Sequence, residues 1–233
     1  MKKKKKRLSY KDLNFKNLKK FWKWMWNDDS FLSYVVFLIF IVVFFKFIFF
    51  PTLSFLLNTE YPIVAIVSGS MEHKIVNNKI CDKHILEYKE NYLNLSNYWK
   101  LCGDYYKKNY NISKDLFSKF PYKNGLNIGD VIILYGKDPK KINVGDVIVF
   151  KPQNEVFFRE KGPVIHRVVN KWVETKDGKN ITYFRTKGDH NGVSMENFED
   201  KISEDNIFGV ALIRIPYIGL IKVYAFYLLS SIF

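Results

Sequence analysis

The chain has little cysteine, and it has few acidic side chains for the number of basic ones. Two cysteines in 233 residues exclude a dense disulfide scaffold and a four-cysteine zinc site. The formal net charge is +14, but the segment 1–23 carries eleven basic side chains and one acid, so it holds +10 of that total and leaves +4 for the rest. Because nucleic-acid binding requires positive charge spread over a folded face, nucleic acid is not an expected partner.

The sequence also lacks the short motifs of several enzyme classes. It contains no Walker loop, no dinucleotide-binding glycine motif, no HExxH and no CxxC. The candidate metal ligands that lie closest in sequence fit no known ligand spacing; they are His73, Cys81, His84 and Cys102. We therefore expect neither a cofactor nor a metal. The hydrophobic fraction of 48% is sufficient for a packed core and excludes wholesale disorder.

A long apolar run dominates the N-terminal part of the chain. Residues 31–57 contain a single charge, Lys46, and their length exceeds the roughly 20 residues that a membrane-spanning helix needs. Pro51 is expected to kink or end the helix. One alternative is a cleaved signal peptide, but its apolar region would be shorter and a small-residue cleavage site would follow it. A buried core helix is the other alternative. Three tryptophans precede the run, as in an interfacial belt: Trp22, Trp24 and Trp26.

We therefore predict a basic cytoplasmic tail at 1–29 and a transmembrane helix at 30–57. The lysine-rich side should stay in the cytoplasm, which places the body of the chain outside it. The other end of the chain, 215–233, is apolar but contains Pro216, Gly219 and Lys222. This segment is either a helix on the membrane surface or a short second span, and both alternatives stay open.

The body at 58–214 has the pattern of a β-rich domain. Two stretches, 129–134 and 145–150, each place Gly-Asp before four apolar residues, as a tight turn before a buried strand would. Asp177-Gly178 is a hairpin signal. The fold class is therefore mainly β, with a barrel-like or sandwich core. The other predicted strands are Tyr61–Val67, Val164–Trp172, Ile181–Lys187 and Ile207–Ile215.

The segment 74–124 interrupts this pattern. It is rich in lysine, asparagine and tyrosine, and it has helix-like stretches at Ser96–Tyr106 and Ser113–Phe120. We interpret it as a partly helical insertion beside the sheet, either a lid or a surface domain. Cys81 and Cys102 both lie in it, and outside the cytoplasm their thiols are free to oxidise. We predict a disulfide between them, with two unpaired thiols as the alternative.

Three polar motifs could carry chemistry. Ser68-Gly69-Ser70-Met71 follows a predicted strand, so its backbone is fixed as a hydroxyl nucleophile requires. His166 ends an apolar strand, and the segment 186–191, Thr-Lys-Gly-Asp-His-Asn, follows another. Taken alone, each motif is more typical of a surface turn, or of a histidine that packs in a strand, than of a catalytic residue.

The order of the motifs is more informative than any one of them. A membrane span, SGSME (68–72), GDVIIL (129–134), NVGDVIVF (143–150), VIHRVV (164–169), TKGDHN (186–191) and IPYIG (215–219) follow one another. This order resembles the type I signal peptidases, and within them the archaeal and endoplasmic-reticulum branch, in which histidine occupies the position of the base. The resemblance covers most of 61–219 except the insertion.

The resemblance implies a role for each matched residue. Ser70 would be the nucleophile, His166 the general base and Asp189 the acid that orients the base. The oxyanion would be held by the hydroxyl of Ser68 and the backbone N–H of Ser70. Members of the family usually carry a further aspartate about six residues past Asp189, where this chain has Met195. Glu196 and Asp200 are therefore alternatives for the orienting acid.

The resemblance further implies a membrane-bound serine endopeptidase that cleaves N-terminal signal peptides from exported preproteins without a cofactor. Its partners would be signal peptides, the lipid bilayer and the protein-export channel, in a cell membrane or an endoplasmic-reticulum membrane. An inert membrane-anchored binding module is one alternative, and a self-cleaving repressor-type peptidase is another, although that class is soluble and uses lysine. The substrate would lie extended along Ile63, Val64, Ala65, Ile66 and Val67 and along Pro163, Val164 and Ile165.

Overall fold

The computed structural model of the protein describes residues 16–86 and 91–220. Residues 1–15 of the basic tail and residues 221–233 of the apolar C-terminal segment lie outside this part, so neither alternative for the C-terminal segment is tested. The chain divides into two compact units, residues 1–53 and 54–233.

One helix of 27 residues, Phe31–Leu57, is long and apolar enough to cross a membrane, judged by its length and composition alone. It consists of α2 (Phe31–Phe44), a π-helical turn (Phe45–Phe49) and α3 (Phe50–Leu57). The helix does not end at Pro51, as one alternative predicted. Because proline has no N–H to donate, the α-helical bonding pattern cannot continue unchanged, and the π-helical turn ends two residues before Pro51.

Helix α1 (Lys16–Asn27) packs against α2 within the N-terminal unit. The hydroxyl of Ser33 donates to the carbonyl of Met25 at 3.1 Å. Trp26 meets Phe37 edge-on, with ring centroids 5.1 Å apart, and Trp22 meets Phe40 in the same way. These two tryptophans, predicted as part of an interfacial belt, therefore lie against the apolar helix.

The body is built on a curled, seven-stranded antiparallel sheet that forms a half-barrel, which confirms the mainly β prediction. The strand order is β1-β4-β9-β5-β6-β7-β8, and β2 and β3 form a separate hairpin. The strands are β1 (Ile63–Ala65), β2 (Lys79–Ile80), β3 (Lys83–His84), β4 (Val131–Tyr135), β5 (Val147–Phe150), β6 (Val164–Lys176), β7 (Lys179–Lys187), β8 (Ile202–Ser203) and β9 (Ile207–Ile215).

The same turn precedes β4 and β5. The carboxylate of Asp130 accepts from the N–H three residues earlier at 2.7 Å, and that of Asp146 does the same at 3.0 Å. Gly129 and Gly145 have φ values of +88° and +98°, a region that favours glycine. Asp177 and Gly178 also have positive φ and join β6 to β7, as the hairpin signal predicted.

The segment 74–124 packs a core of its own around α4 (Leu95–Tyr110). Side chains of Asn94 and Ser113 cap the first turns of α4 and of α5 (Lys114–Phe117). A disulfide joins Cys81, in the β2–β3 hairpin, to Cys102 on α4, with Cα atoms 5.6 Å apart. A last helix, α6 (Glu155–Lys161), lies between β5 and β6.

Candidate active site

Ser70 lies on a single 3₁₀ turn, Gly69–Met71, that follows edge strand β1. The chain between them stays extended because the N–H of Ile66 donates to the carbonyl of Asp130 at 2.8 Å. The turn is fixed on its other side too, since the carbonyl of Ser70 accepts from the N–H of His190 at 2.8 Å. Ser70 thus has the fixed backbone that a nucleophile requires.

His166 lies on β6, where it pairs with Ile148 of β5, and the residue is 3% exposed. Its Nε2 lies 3.0 Å from the hydroxyl oxygen of Ser70. The structure therefore brings together two residues that are 96 positions apart in the sequence and that were predicted as nucleophile and base. A distance of 3.0 Å is within hydrogen-bond reach for proton transfer.

Glu199 provides the carboxylate on the other ring nitrogen of His166. Its Oε2 contacts Nδ1 of His166 and accepts from the hydroxyl of Thr186 at 3.0 Å, and its Oε1 accepts from the N–H of Met195 at 3.2 Å. The backbone holds it as well, because the N–H of Thr186 donates to the carbonyl of Glu199. Glu199 is fully buried, and these donors satisfy its oxygens.

This contact fixes the tautomer of His166. A carboxylate only accepts hydrogen bonds, so Nδ1 must carry the proton. Nε2 then presents its lone pair to Ser70, and the hydroxyl can donate to it. Serine, histidine and carboxylate thus contact one another in turn, with the geometry that a nucleophile and its general base need.

The prediction that Asp189 orients His166 is wrong in this geometry. The Asp189 carboxylate instead accepts two hydrogen bonds from Arg167, at 2.9 and 2.7 Å. The two alternatives do not contact His166 either: Glu196 is exposed, and Asp200 accepts from Arg185 through its backbone carbonyl at 3.0 Å. Asp189 points away from the imidazole because Arg167, the neighbour of His166 on β6, faces the opposite side of the sheet.

A buried polar cluster surrounds Asp189, and we call it the Asp189 cluster. Burial opposes the charge on Asp189, but the Arg167 guanidinium and the hydrogen bonds of the site hold the pKa of this carboxyl far below its usual range. Burial lowers the pKa of Lys187 to about 8 and also lowers that of His73. The members of the cluster are His73, Tyr98, Tyr106, Arg167, Lys187 and Asp189.

Ser68, the predicted oxyanion donor, lies beside the nucleophile. Its hydroxyl oxygen is 3.3 Å from that of Ser70, and the side chain is exposed. Because this side chain is exposed, its hydroxyl hydrogen can rotate toward an incoming group. The Ser68 hydroxyl and the Ser70 N–H are therefore both adjacent to the Ser70 oxygen.

Two backbone edges flank the pair of Ser70 and His166. Within the described part of the chain, β1 pairs with β4 alone, so one side of Ile63–Ala65 is open. Residues 164–166 pair with β5, while pairing with β7 begins at Arg167. The predicted substrate-binding residues are distributed over these edges: Ile63 and Val67 are exposed, Val64, Ala65 and Pro163 are half-buried, and Ile66, Val164 and Ile165 are buried.

The member of this arrangement that sequence reasoning missed is Glu199, which contacts His166. It lies ten residues past Asp189, in a stretch that also contains Glu196 and Asp200, and its residue type does not distinguish it from them. The one signal that could have identified it is Phe198, an apolar neighbour that indicates burial of this part of the loop.

Comparison with models of known protein families finds none that matches this chain. Comparison with curated proteins finds no relative either. The resemblance to signal peptidases therefore rests on the ordered motifs alone.

Proposed function

We propose that the protein is a membrane-anchored serine endopeptidase that removes N-terminal signal peptides from exported preproteins. The observation that carries the proposal is the contact of 3.0 Å between the Ser70 hydroxyl and Nε2 of His166, a buried base whose other nitrogen meets a carboxylate. Neither packing nor a surface turn requires these three groups to be aligned in this way.

In the proposed mechanism, Ser70 attacks the carbonyl carbon of the scissile peptide bond while Nε2 of His166 takes the hydroxyl proton. Glu199 stabilises the imidazolium that forms. The Ser68 hydroxyl and the Ser70 N–H donate to the oxyanion of the tetrahedral intermediate. His166 then gives its proton to the leaving amine, and it activates the water that hydrolyses the acyl-enzyme. The chain's own residues supply every proton transfer.

The substrate would bind as an added strand. The open edge of Ile63–Ala65 and the free side of residues 163–165 offer backbone hydrogen bonds to an extended peptide. Such bonds do not depend on the side chains of the substrate, which suits a peptidase that must accept many different signal peptides. The resemblance implies that small pockets then select small residues before the cleaved bond.

The apolar helix Phe31–Leu57 supports the membrane part of the proposal. A signal peptide is itself membrane-embedded, so an anchored peptidase would meet it by lateral diffusion in the same bilayer. The bilayer and the protein-export channel, which delivers preproteins to the membrane, are the proposed partners besides the substrate.

A nucleophile variant tests the proposal. Purified Ser70→Ala in detergent should cleave a preprotein at least about 10³-fold more slowly than the wild type, since only the oxyanion donors and substrate binding remain to accelerate the reaction. Ser118→Ala is the matched control, because the Ser118 hydroxyl donates to a backbone carbonyl on α5, in a different part of the fold. Cleavage by Ser70→Ala at near wild-type rate would disprove the assignment.

A further inference from the structure

The Asp189 cluster connects the nucleophile turn, the strand of the base and helix α4. Arg167 contributes from β6, next to His166, and donates both its Nε and Nη2 hydrogens to the Asp189 carboxylate. Its remaining hydrogens go to backbone carbonyls of Pro121, Tyr122 and Gly145. The two bonds to Asp189 and the bond to Gly145 are buried, so they are shielded from water, while the bonds to Pro121 and Tyr122 are part-buried.

Two links lead from Asp189 to Ser70. Nε2 of His73, three residues past the nucleophile, lies 3.1 Å from Oδ2 of Asp189. His190, the residue after Asp189, donates its N–H to the carbonyl of Ser70. Gly188, the residue before Asp189, lies close to both reacting residues. A Cβ at this position would be 2.9 Å from Nε2 of His166 and 2.8 Å from the carbonyl oxygen of Ser70. The backbone at 188–190 therefore lies directly against Ser70 and His166.

Helix α4 closes the cluster from the opposite side. The hydroxyl of Tyr106 donates to Oδ1 of Asp189 at 3.0 Å, and that of Tyr98 donates to the backbone carbonyl of Asp189 at 2.8 Å. Tyr98 also stacks on the ring of His73 with centroids 3.5 Å apart and planes within 4°. Both tyrosines are fully buried. Tyr98, Cys102 and Tyr106 are four residues apart, so they share one face of α4.

The disulfide attaches this face to the same backbone. Cys102 is bonded to Cys81, and the N–H of Cys81 donates to the carbonyl of His190 at 2.9 Å. Lys187 adds a further link, because its Nζ donates to the Tyr106 hydroxyl at 3.3 Å and to the Gly188 carbonyl at 3.0 Å. Helix α4 is thus bonded to both sides of the turn at 188–190.

We propose that Tyr98, Tyr106 and His73 are positioning residues of the active site, through which α4 holds the 188–190 backbone and thereby sets Ser70 against His166. The segment 74–124 is then an integral support of the nucleophile and not a lid. The proposal rests on the proposed function only in that preprotein cleavage is one of its two measurements. None of the three residues lies on the two strand edges proposed for the substrate, so they act through Asp189 and Ser70.

The chemistry of the cluster explains why single hydroxyls matter. Tyr106 is a donor to Asp189 and the acceptor for Lys187, so its loss leaves a buried ammonium and a buried carboxylate each with one partner fewer. The Lys187 and Asp189 side chains regain partners by shifting, and a shift of the 188–190 backbone that carries them also moves the Ser70 carbonyl, which is bonded to His190. Displacements of about 1 Å at a reacting pair reduce rates by roughly 100-fold.

The test compares two tyrosines of the same helix. Tyr106→Phe should lower kcat by roughly 10- to 100-fold and leave KM within about twofold, because the substrate edges are intact. It should also accelerate amide hydrogen exchange at 69–73 and 188–191. Tyr110→Phe is the matched control, since its hydroxyl contacts that of Tyr105 and not Asp189; it should change neither measurement. Circular dichroism and the Tm establish that both variants are folded at the assay temperature.

Hydrogen exchange separates this proposal from the proposed function, because it requires no substrate. Faster exchange at 69–73 in Tyr106→Phe supports the positioning role even if the wild type cleaves no preprotein. If Tyr106→Phe fails to fold, Tyr98→Phe, which keeps the stacking on His73, is measured in the same way. A folded Tyr106→Phe or Tyr98→Phe with wild-type kcat and wild-type exchange at 69–73 and 188–191 would overturn the proposal.

Discussion

The carboxylate of Glu199 decides which nitrogen of His166 carries the proton. With Oε2 as acceptor, the proton stays on Nδ1 and the lone pair of Nε2 faces Ser70. A group that donates to Nδ1 would reverse this, because Nε2 would then carry a hydrogen and could not accept one from the nucleophile. The orientation of one buried side chain therefore determines whether the pair can react.

The corresponding prediction concerns Glu199→Gln. The amide keeps the volume but can donate to Nδ1 of His166, so kcat for preprotein cleavage should fall by up to about 10⁴-fold, as for other catalytic triads in which the acid is replaced by its amide. Glu196→Gln is the matched control in the same loop; it removes an exposed carboxylate and should leave kcat unchanged. Equal rates for Glu199→Gln and the wild type would show that His166 does not depend on this carboxylate.

Asp189→Asn should act through stability. Arg167 and Asp189 are both fully buried, so removing the negative charge leaves an uncompensated guanidinium, at a cost of about 3–5 kcal/mol. Chemical denaturation should show this loss, and it should be much larger than for Glu196→Gln. A wild-type free energy of unfolding in Asp189→Asn would contradict the account of the cluster.

His73 should make the protein sensitive to mild acid. Burial lowers its pKa from the ordinary value of 6.5, against the opposing effect of Asp189 and together with the charges of Arg167 and Lys187. The unfolded chain therefore takes up a proton at His73 at a pH where the folded chain does not, and the free energy of unfolding falls as pH drops below about 6.5. Above that pH His73 is neutral in both states and contributes no slope.

The variant that tests this is His73→Gln, which can still donate to Asp189 but does not titrate. Its free energy of unfolding should depend less steeply on pH between about 7 and 5 than that of the wild type. His84→Gln, at an exposed position, is the matched control and should keep the wild-type slope. Parallel curves for His73→Gln and the wild type would contradict the expectation.

The ordered motifs, through their resemblance to signal peptidases, pointed to two of the three aligned residues, Ser70 and His166. A serine that follows a strand and a histidine within one lie on rigid elements, and their place in an ordered set of motifs is visible in the chain. Glu199 lies in a loop, and which of several loop acids turns inward depends on long-range contacts such as that of its oxygens with Thr186. Asp189 was assigned wrongly because its motif fixes its position in the chain but not the direction in which its side chain points.

At the scale of elements, α4 depends on a covalent link. A disulfide that closes a loop of about 20 residues stabilises a fold by roughly 3 kcal/mol, mainly by restricting the unfolded chain. Cys81→Ala/Cys102→Ala should therefore lose about that much free energy of unfolding, and adding reductant should destabilise the wild type but not the double variant. Quantitative alkylation of both cysteines in denaturant without reductant would show that the bond is absent.

The strands that could be predicted were those with a strong local signal. β9 has the predicted bounds, and β4 and β5 follow Gly-Asp turns whose aspartates bond back to the chain. The two-residue strands β2, β3 and β8 could not be predicted, because so short a run has no alternation of apolar and polar residues to detect. The order of the strands in the sheet could not be predicted either, since β4 pairs with β9, about 80 residues further along the chain.

At the scale of the whole molecule, the proposed function requires that the apolar helix spans a membrane and that the body at 58–214 lies outside the cytoplasm. The charge distribution predicts this orientation, because positive charge is concentrated before Phe31 and basic segments tend to be retained in the cytoplasm. The body carries only a small net charge, so it does not oppose that orientation. The cleavage site of an exported preprotein emerges on the far side of the membrane, where the body would then lie.

The last prediction tests this topology. In sealed vesicles of known orientation, protease added to the cytoplasmic face should remove only the basic tail, about 3 kDa, and leave the fragment that contains Ser70 protected. Vesicles permeabilised with detergent serve as the control, in which the same protease reaches the body. Replacing the lysines at 2–6 with glutamine should weaken the orientation signal and increase the inverted fraction. Loss of the Ser70 fragment in intact vesicles of the wild type would place the body in the cytoplasm and exclude a role in signal-peptide removal.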